Sequence, residues 1–340
     1  MDRGHEMSRY DRQIAVPGFG AVAQDWLRAT RLLVVGAGGL AAPVLPYLVG
    51  AGVGHIRLVD PDRVDRGNLH RQTLFRESDI GARKACAAAR SLRALNPEVE
   101  VEAIAQALDP ANADALAEGC DLILDCADSF AVSYILSDLC RDSDRPLVSA
   151  SVLGLEGYVG AFCGGAPSLR AVFPDLPARM GSCAEDGVLG PVVGLLGSLQ
   201  AQMALALAGR LDPSPLGRLV SVDAATLRFG GFGFHGAPEP AQSPRFIAAS
   251  DLRSSDWIVD LRAASEAPLV HPDAQRLSVE GIATAPPPAP GRRAVLCCRS
   301  GLRSWQAAQQ LAPVWAKDLA KDWDGEIVLL AMGDPNGDPS

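Results

Sequence analysis

The chain has no uninterrupted apolar run of the roughly eighteen residues that a membrane-spanning helix needs, and no charged-then-apolar leader at its start. Neither a membrane span nor export is expected, and the expected compartment is the cytoplasm. Positive charge is also short: 31 Lys and Arg stand against 40 Asp and Glu, a net charge of −9. That balance disfavours nonspecific binding to nucleic acid and leaves only a local basic patch around a site. No internal repeat and no long low-complexity stretch is found. The eight cysteines occur without secretory features, so free thiols are expected, not a disulfide framework.

What is present is enough for two cores. A chain of 340 residues, 48% hydrophobic, exceeds the usual size of one domain. Residues 1–7 read as a loose leader. The string Gly236-Ala237-Pro238-Glu239-Pro240-Ala241-Gln242-Ser243-Pro244 reads as a proline-stiffened, semi-rigid linker about which two domains move. The expected division is 8–235, a linker over 236–245, and 246–335.

The stretch Arg31 to Gln72 is the most informative. Leu32 to Val35 is a continuous apolar run of the kind found in buried parallel strands, and it breaks at Gly36-Ala37-Gly38-Gly39-Leu40-Ala41. A strand, a glycine turn and a helix in that order let backbone N–H groups approach an anion at a helix start. A second strand, His55 to Val59, delivers Asp60 where a carboxylate accepts hydrogen bonds from ribose hydroxyls. Then come Asp62, Asn68, Arg71, Gln72 and Lys84. Cations and amides beside a glycine turn suit charge building on a triphosphate; hydride transfer calls for an apolar nicotinamide pocket instead. The strand Leu122-Ile123-Leu124 ends in Asp125-Cys126-Ala127-Asp128, which puts Asp128 at the carboxyl edge of the sheet, either as a Mg²⁺ ligand or as a helix N-cap.

In order and spacing, Arg9-Tyr10-Asp11-Arg12-Gln13, the Gly36 turn, Asn68-Leu69-His70-Arg71-Gln72, Lys84 and Asp125-Cys126-Ala127-Asp128 resemble the MoeB/ThiF branch of the ubiquitin-activating-enzyme superfamily over about residues 8–235. The resemblance implies an α/β fold with a Rossmann-like, mostly parallel sheet. It also implies adenylation of the C-terminal glycine of a small ubiquitin-fold sulfur carrier ending in Gly-Gly, of the MoaD or ThiS kind. Asp60 would bind ribose, Asn68, Arg71 and Lys84 the phosphates, with Gly36, Gly38, Gly39 and Gln72 completing the ATP site and Asp128 holding Mg²⁺. Arg12 would reach ATP from the other subunit of a homodimer. Cys183, in Gly181-Ser182-Cys183, matches the family's loop cysteine, a nucleophile or resolving thiol in relatives and otherwise a small loop residue.

A second chemical feature follows the apolar run Ala294 to Cys297: the turn Cys298-Arg299-Ser300-Gly301-Leu302-Arg303-Ser304. Inward N–H groups, the start of the next helix, Arg299 and Arg303 would all stabilise a thiolate or the outer sulfur of a persulfide. The loop resembles that of a rhodanese, and Asp260-Leu261-Arg262 with Glu266 resembles the opening of such a domain. This second part is then a small α/β rhodanese-like sulfurtransferase charged by a persulfide donor such as a cysteine desulfurase. Cys298 holds the loop's first position, and Cys297 reads as a packed strand residue. The span from Glu266 to Arg293, with Pro286-Pro287-Pro288, is short for that family.

The chain also departs from the first resemblance. Many relatives carry two CxxC pairs for zinc. Here Ser168 and Ala171 stand at the first pair, Phe234-His235-Gly236 lies at the second, and Cys163 with His235 cannot make four ligands, so no zinc site is expected. Ala41 replaces the last glycine of the turn, and Pro46 is expected to kink the following helix.

The combined expectation is ATP- and Mg²⁺-dependent adenylation of the carrier, then sulfur transfer from a Cys298 persulfide to give a thiocarboxylate. The carrier sets the pathway: molybdopterin, thiamine, tRNA thiolation or a secondary metabolite. Three rivals are an adenylating enzyme without the sulfur step, a non-catalytic scaffold that docks the carrier, and a nucleotide-linked oxidoreductase. The last leaves Arg12, Arg71, Lys84 and Asp128 unexplained.

Overall fold

In the computed structural model the described residues are 8–174, 187–241, 243–282, 284–315, 323 and 325–332. The first unit is built on one eight-stranded sheet: β1 (Arg31–Val35), β2 (His55–Val59), β3 (Glu100–Ile104), β4 (Leu122–Asp125), β5 (Pro146–Leu153), β6 (Glu156–Cys163), β7 (Arg218–Asp223) and β8 (Arg228–Gly233). Its order is β3-β2-β1-β4-β5-β6-β7-β8. The first five strands pair in parallel and β5 to β8 pair antiparallel. The apolar runs noted above are the central strands: β4 is buried throughout, and β1 from its second residue on. Continuous apolar sequence is what a parallel strand covered on both faces requires.

The helices are α1 (Asp11–Ile14), α2 (Gly20–Ala29), α3 (Ala41–Gly50), α4 (Lys84–Leu95), α5 (Ala113–Ala117), α6 (Phe130–Asp142), α7 (Leu169–Val172), α8 (Gly190–Ala208), α9 (Val279–Ile282) and α10 (Leu302–Val314). One face of the sheet packs Val34, Ile56, Leu58 and Leu124 against Leu45 and Leu48 of α3, Ala88 of α4 and Leu196 of α8. Pro46 lies inside α3, which runs on to Gly50. Pro46 therefore sits within the helix and does not end it.

By length and composition α8 would cross a membrane, yet it is interrupted by Ser198, Gln200 and Gln202. Buried Gln200 donates from Nε2 to the carbonyls of Asp125 (2.7 Å) and Val148 (3.0 Å), tying α8 to β4 and β5. It is a core helix of this sheet.

The second unit is a four-stranded parallel sheet ordered β10-β9-β11-β12, from β9 (Trp257–Asp260), β10 (Gln275–Arg276), β11 (Ala294–Cys298) and β12 (Ile327–Ala331). It does not stand apart. A single apolar cluster runs from Leu33, Ile123 and Leu136 of the first unit through Tyr134 to Phe246, Leu296 and Trp305 of the second.

The linker region is fastened as well. Ser168 gives its N–H and its hydroxyl to the two carboxylate oxygens of Glu239 at 2.7 and 2.6 Å. Arg170 donates to Ser243 Oγ at 2.8 Å. The free movement expected of this segment is thus restrained in the docked arrangement. Of the residues at the two places that the resemblance associates with zinc, Ser168 is held by Glu239 and His235 packs over Gly217, while Cys163 Sγ donates to the Ser137 carbonyl (3.6 Å).

Candidate functional site

The residues that the sequence assigns to a nucleotide site follow strands that end at one edge, because β1, β2 and β4 run parallel and end together. Gly36 follows β1, Asp60 follows β2, and Asp125 closes β4. In doubly wound sheets this carboxyl edge is where ligands lie.

The three glycines of the turn do different work. Gly36 has φ +96°, and a Cβ there would come within 2.6 Å of the Cys126 carbonyl, so crossing of two chain segments demands glycine. At Gly39 a Cβ would meet Val193 of α8 at 2.8 Å, a demand of packing. Only Gly38 borders open space toward a site residue, with Gln72 Nε2 3.7 Å from the position of its Cβ. Packing thus accounts for glycine at 36 and 39 independently of any anion.

Asp60 is buried and its carboxylate shapes the turn: Oδ2 accepts from Ala37 N–H at 2.7 Å and Oδ1 from Asp62 N–H at 2.8 Å. Burial raises its pKa, opposed by the nearby Lys84 ammonium and the Ala37 N–H. Lys84 is itself buried at the start of α4 and donates to Asp62 Oδ2 at 2.8 Å. Arg71 donates from Nη2 to Asn68 Oδ1 at 2.8 Å, with its stem 3.5 Å from the position of a Gly39 Cβ. Gln72 is buried, and its Oε1 has no hydrogen-bond partner. Such an orphaned acceptor is costly and marks a place where a donor is wanted.

Asp128 is exposed beyond the end of β4, and Ser129, not Asp128, occupies the N-cap of α6. The capping alternative for Asp128 is therefore set aside. Among the described residues no group of three or more His, Cys, Asp or Glu side chains is placed to hold a metal. Arg12 is exposed on α1, a helix whose Gln13 donates to the Gln24 side chain (2.7 Å) and the Ala51 carbonyl (3.0 Å). Cys183 lies outside the described residues.

Asp125 was passed over in the sequence as an ordinary strand end. It is fully buried; desolvation lifts its pKa to about 6 against hydrogen bonds from Ser133, Ser149 and the Ala127 N–H. The Ser149 hydroxyl donates to its Oδ2 at 2.8 Å.

The second site is the loop after β11. Cys298 is buried, and its Sγ accepts from the N–H groups of Gly301 (3.1 Å) and Ser304 (3.3 Å) with Ser304 Oγ at 3.4 Å. Gly301 has φ +87°, and a Cβ there would strike the Phe246 ring at 2.7 Å and Ala131 of α6 at 3.0 Å. This is the inward nest of N–H groups that the loop sequence implies.

The Arg303 guanidinium lies within electrostatic reach of the Cys298 sulfur, and its hydrogen bonds go elsewhere. Arg303 makes a two-point pair with Glu266 (2.8 and 2.6 Å) and donates to the Leu261 carbonyl (3.0 Å), bracing the loop from outside. The Arg303 hydrogen bonds hold Glu266 at a pKa of about 2. Arg299 is exposed. Asp260 and Arg262 pair through 2.9 and 2.8 Å contacts beneath the loop. Cys297 is buried on the opposite face, against Ile258, Val295 and Val328, and burial pushes its thiol up to about 12.

The two sites meet through α6. The Ala131 N–H donates to the Ser300 carbonyl at 3.3 Å. Trp305 of α10 packs 5.4 Å from Phe130 and 4.8 Å from Tyr134, ring centre to ring centre. Arg170, buried, lies over both Tyr134 and Trp305 at 4.8 Å and pairs two-point with Asp138 (2.6 and 2.9 Å). Sequence reasoning missed Arg170, although a single cation in Ser168-Leu169-Arg170-Ala171, where the resemblance would have thiolates, was the available signal.

Residues 10–242 match the ThiF family. The chain belongs to that family. It is 46% identical over 222 residues to the adenylyltransferase and sulfurtransferase MOCS3 of Bos taurus, covering 64% of this chain and 49% of the relative. To the SAMP-activating enzyme E1 of Haloferax volcanii it is 37% identical over 226 residues, 66% of this chain and 84% of the relative. The chain thus spans about half the length of the MOCS3-type relatives it matches. Among solved structures, E. coli MccB crystallised with ATP superposes with a TM-score of 0.61 at 22% identity, covering 70% of this chain and 74% of that one. That likeness is one of fold.

Proposed function

We propose that this ThiF-family protein adenylates the C-terminal glycine of a small ubiquitin-fold sulfur carrier and then converts it to a thiocarboxylate with sulfur from Cys298. One observation supports this above the others. A nucleotide edge furnished with Asp60, Asn68, Arg71, Gln72, Lys84 and Asp128, and a cysteine whose sulfur accepts two loop N–H groups, occur in one chain on adjoining elements. The activities for which the MOCS3-type relatives are named, adenylyltransferase and sulfurtransferase, are the same pair.

ATP and Mg²⁺ are the proposed cofactors. Gly38, Asn68, Arg71, Gln72 and Lys84 would take the phosphates, Asp60 the ribose and Asp128 the metal; Mg²⁺ would supply charge neutralisation on those phosphates. Lys84 exchanges its contact with Asp62 for phosphate when nucleotide binds. The carrier's carboxylate oxygen attacks the α-phosphorus, the bond to pyrophosphate breaks, and pyrophosphate leaves with the electron pair. Positioning and charge neutralisation by Arg71 and Lys84 are the protein's contribution. Arg12 is assigned to the nucleotide site of the other subunit in a homodimer.

In the sulfur step the outer sulfur of a Cys298 persulfide attacks the acyl adenylate, forming a carbon–sulfur bond as AMP departs with the carbon–oxygen pair. A second thiolate, for which the family resemblance nominates Cys183, then attacks Cys298 Sγ. The thiocarboxylate leaves with the sulfur–sulfur electron pair, and the resulting protein disulfide is reduced by an external dithiol before the next turnover. A cysteine desulfurase is the proposed persulfide donor.

ATP–pyrophosphate exchange with a carrier ending in Gly-Gly tests the first half: exchange is expected from the wild-type chain and from Cys298→Ala, and is lost in Lys84→Ala. Absence of exchange with MoaD- and ThiS-like carriers alike overturns the reading and brings the scaffold alternative forward.

A further inference from the structure

The contact between the two units bears on which nucleotide site a given Cys298 serves. Asp128 and Ala131 are three residues apart at the start of α6, so their Cα atoms are separated by at most about 10 Å. Ala131 in turn holds the Ser300 carbonyl, two residues beyond Cys298. The backbone at Cys298 therefore lies within about 25 Å of Asp128 on the same chain, and the docked loop sits beside the edge that carries the nucleotide residues.

The connection between the units keeps it there. Glu239 is tied to Ser168, Ser243 to Arg170, and Arg245 pairs with Asp142 at the end of α6 (3.4 Å). Three successive points of the linker are thus fixed to the first unit of the same chain. When the loop parts from α6 to uncover the buried Cys298 sulfur, the tether returns it to this α6. Phe130, Tyr134, Arg170 and Trp305 provide the surface on which it re-docks.

We infer that sulfur is delivered in cis: each Cys298 serves the nucleotide site of its own chain, and Arg170 is the residue that positions the sulfur-bearing unit for that delivery. The inference rests on the proposed function and adds to it the route that sulfur takes.

The test is complementation between full-length chains. Lys84→Ala and Cys298→Ala chains are mixed one to one under conditions that exchange subunits, with a ThiS-like carrier, ATP, cysteine and a cysteine desulfurase. Cis delivery gives a mixture that forms under about a twentieth of the wild-type thiocarboxylate, although ATP–pyrophosphate exchange persists through the Cys298→Ala chains. Recovery of about a quarter or more of the wild-type rate means that sulfur crosses between chains and overturns the inference. If the wild-type chain exchanges pyrophosphate but forms no thiocarboxylate, the sulfur step itself fails, and the inference with it.

The role of Arg170 has its own readout. Arg170→Met is expected to speed alkylation of Cys298 by iodoacetamide at least tenfold and to lower thiocarboxylate formation, with pyrophosphate exchange unchanged. Ser243→Ala, which removes only the linker's hydrogen bond to Arg170, is expected to shift both in the same directions by a smaller factor. Wild-type alkylation and sulfur transfer in both variants would remove Arg170 from the positioning role.

Discussion

The guanidinium of Arg170 lies 4.8 Å over the ring of Trp305, and these two residues join units that the sequence presents as separate. The same guanidinium is bound by Asp138 and faces Tyr134, so it is enclosed by α6, α7 and α10 together.

Loss of this arginine leaves Asp138, itself mostly buried, without its two-point partner. Breaking a buried ion pair from one side typically costs about 3–5 kcal/mol, and the contact with Trp305 goes with it. Arg170→Ala is expected to lower the midpoint of denaturant unfolding and to expose the 236–245 segment to limited proteolysis. A proteolysis pattern identical to wild type would show that the units are held by the apolar cluster alone.

The glycine turn separates packing from binding. Gly36→Ala places a Cβ against the Cys126 carbonyl at a φ of +96°, a conformation that costs about 1–2 kcal/mol before the clash is counted. Gly38→Ala meets nothing closer than 3.7 Å and is expected to fold with a thermal midpoint near wild type. Differential scanning fluorimetry of the two variants distinguishes these roles, and equal midpoints would refute the assignment.

Lys84 is expected to act at the developing phosphate charge, so Lys84→Ala should lower pyrophosphate exchange by about 10²–10³-fold, the usual effect of removing one preorganised charge or donor. Asp62→Asn, which removes the carboxylate holding Lys84 at 2.8 Å, is expected to alter ATP affinity far less. Equal loss in both would mean that the ion pair, not the ammonium, matters.

Stability should fall with pH through Asp125. Its folded pKa is about 6 against an ordinary 3.8, so the folded state holds the proton more tightly than the unfolded one. The stabilisation is complete below about 3.8 and is lost as pH rises through about 6. Asp125→Asn is expected to flatten this slope. Denaturation midpoints between pH 4 and 7 that keep the same slope in the variant would assign it to another group.

The two adjacent cysteines should differ sharply. Burial holds Cys297 at about 12 on the far face of β11, and Cys297→Ala is expected to retain sulfur transfer. Cys298→Ala is expected to abolish thiocarboxylate formation. Mass spectrometry after persulfide loading checks this directly: the added sulfur mass belongs on Cys298.

How much of this was legible beforehand follows from which features are local. The apolar run Leu32–Val35, the turn at Gly36 and the carboxylate at Asp60 are read within a few residues, and they fell where the sequence put them. The ligand edge followed too, since parallel strands joined by helices end on one side. Arg303 was legible only in part: its neighbours in sequence point to the Cys298 sulfur, whose charge it does feel, while the hydrogen-bond partner Glu266 stands 37 positions away.

The amino-acid sequence alone therefore determined the family, the Rossmann-like framework and the order of the motifs along the chain, because each is carried by short-range patterns of glycine, apolar runs and charge. The tertiary structure alone decided that Cys298 is buried, that burial raises the pKa of Asp125, that α8 is a core helix, and that Arg170 clamps the units together. Burial and ion pairing depend on what distant segments place beside a residue, and no local pattern encodes that company.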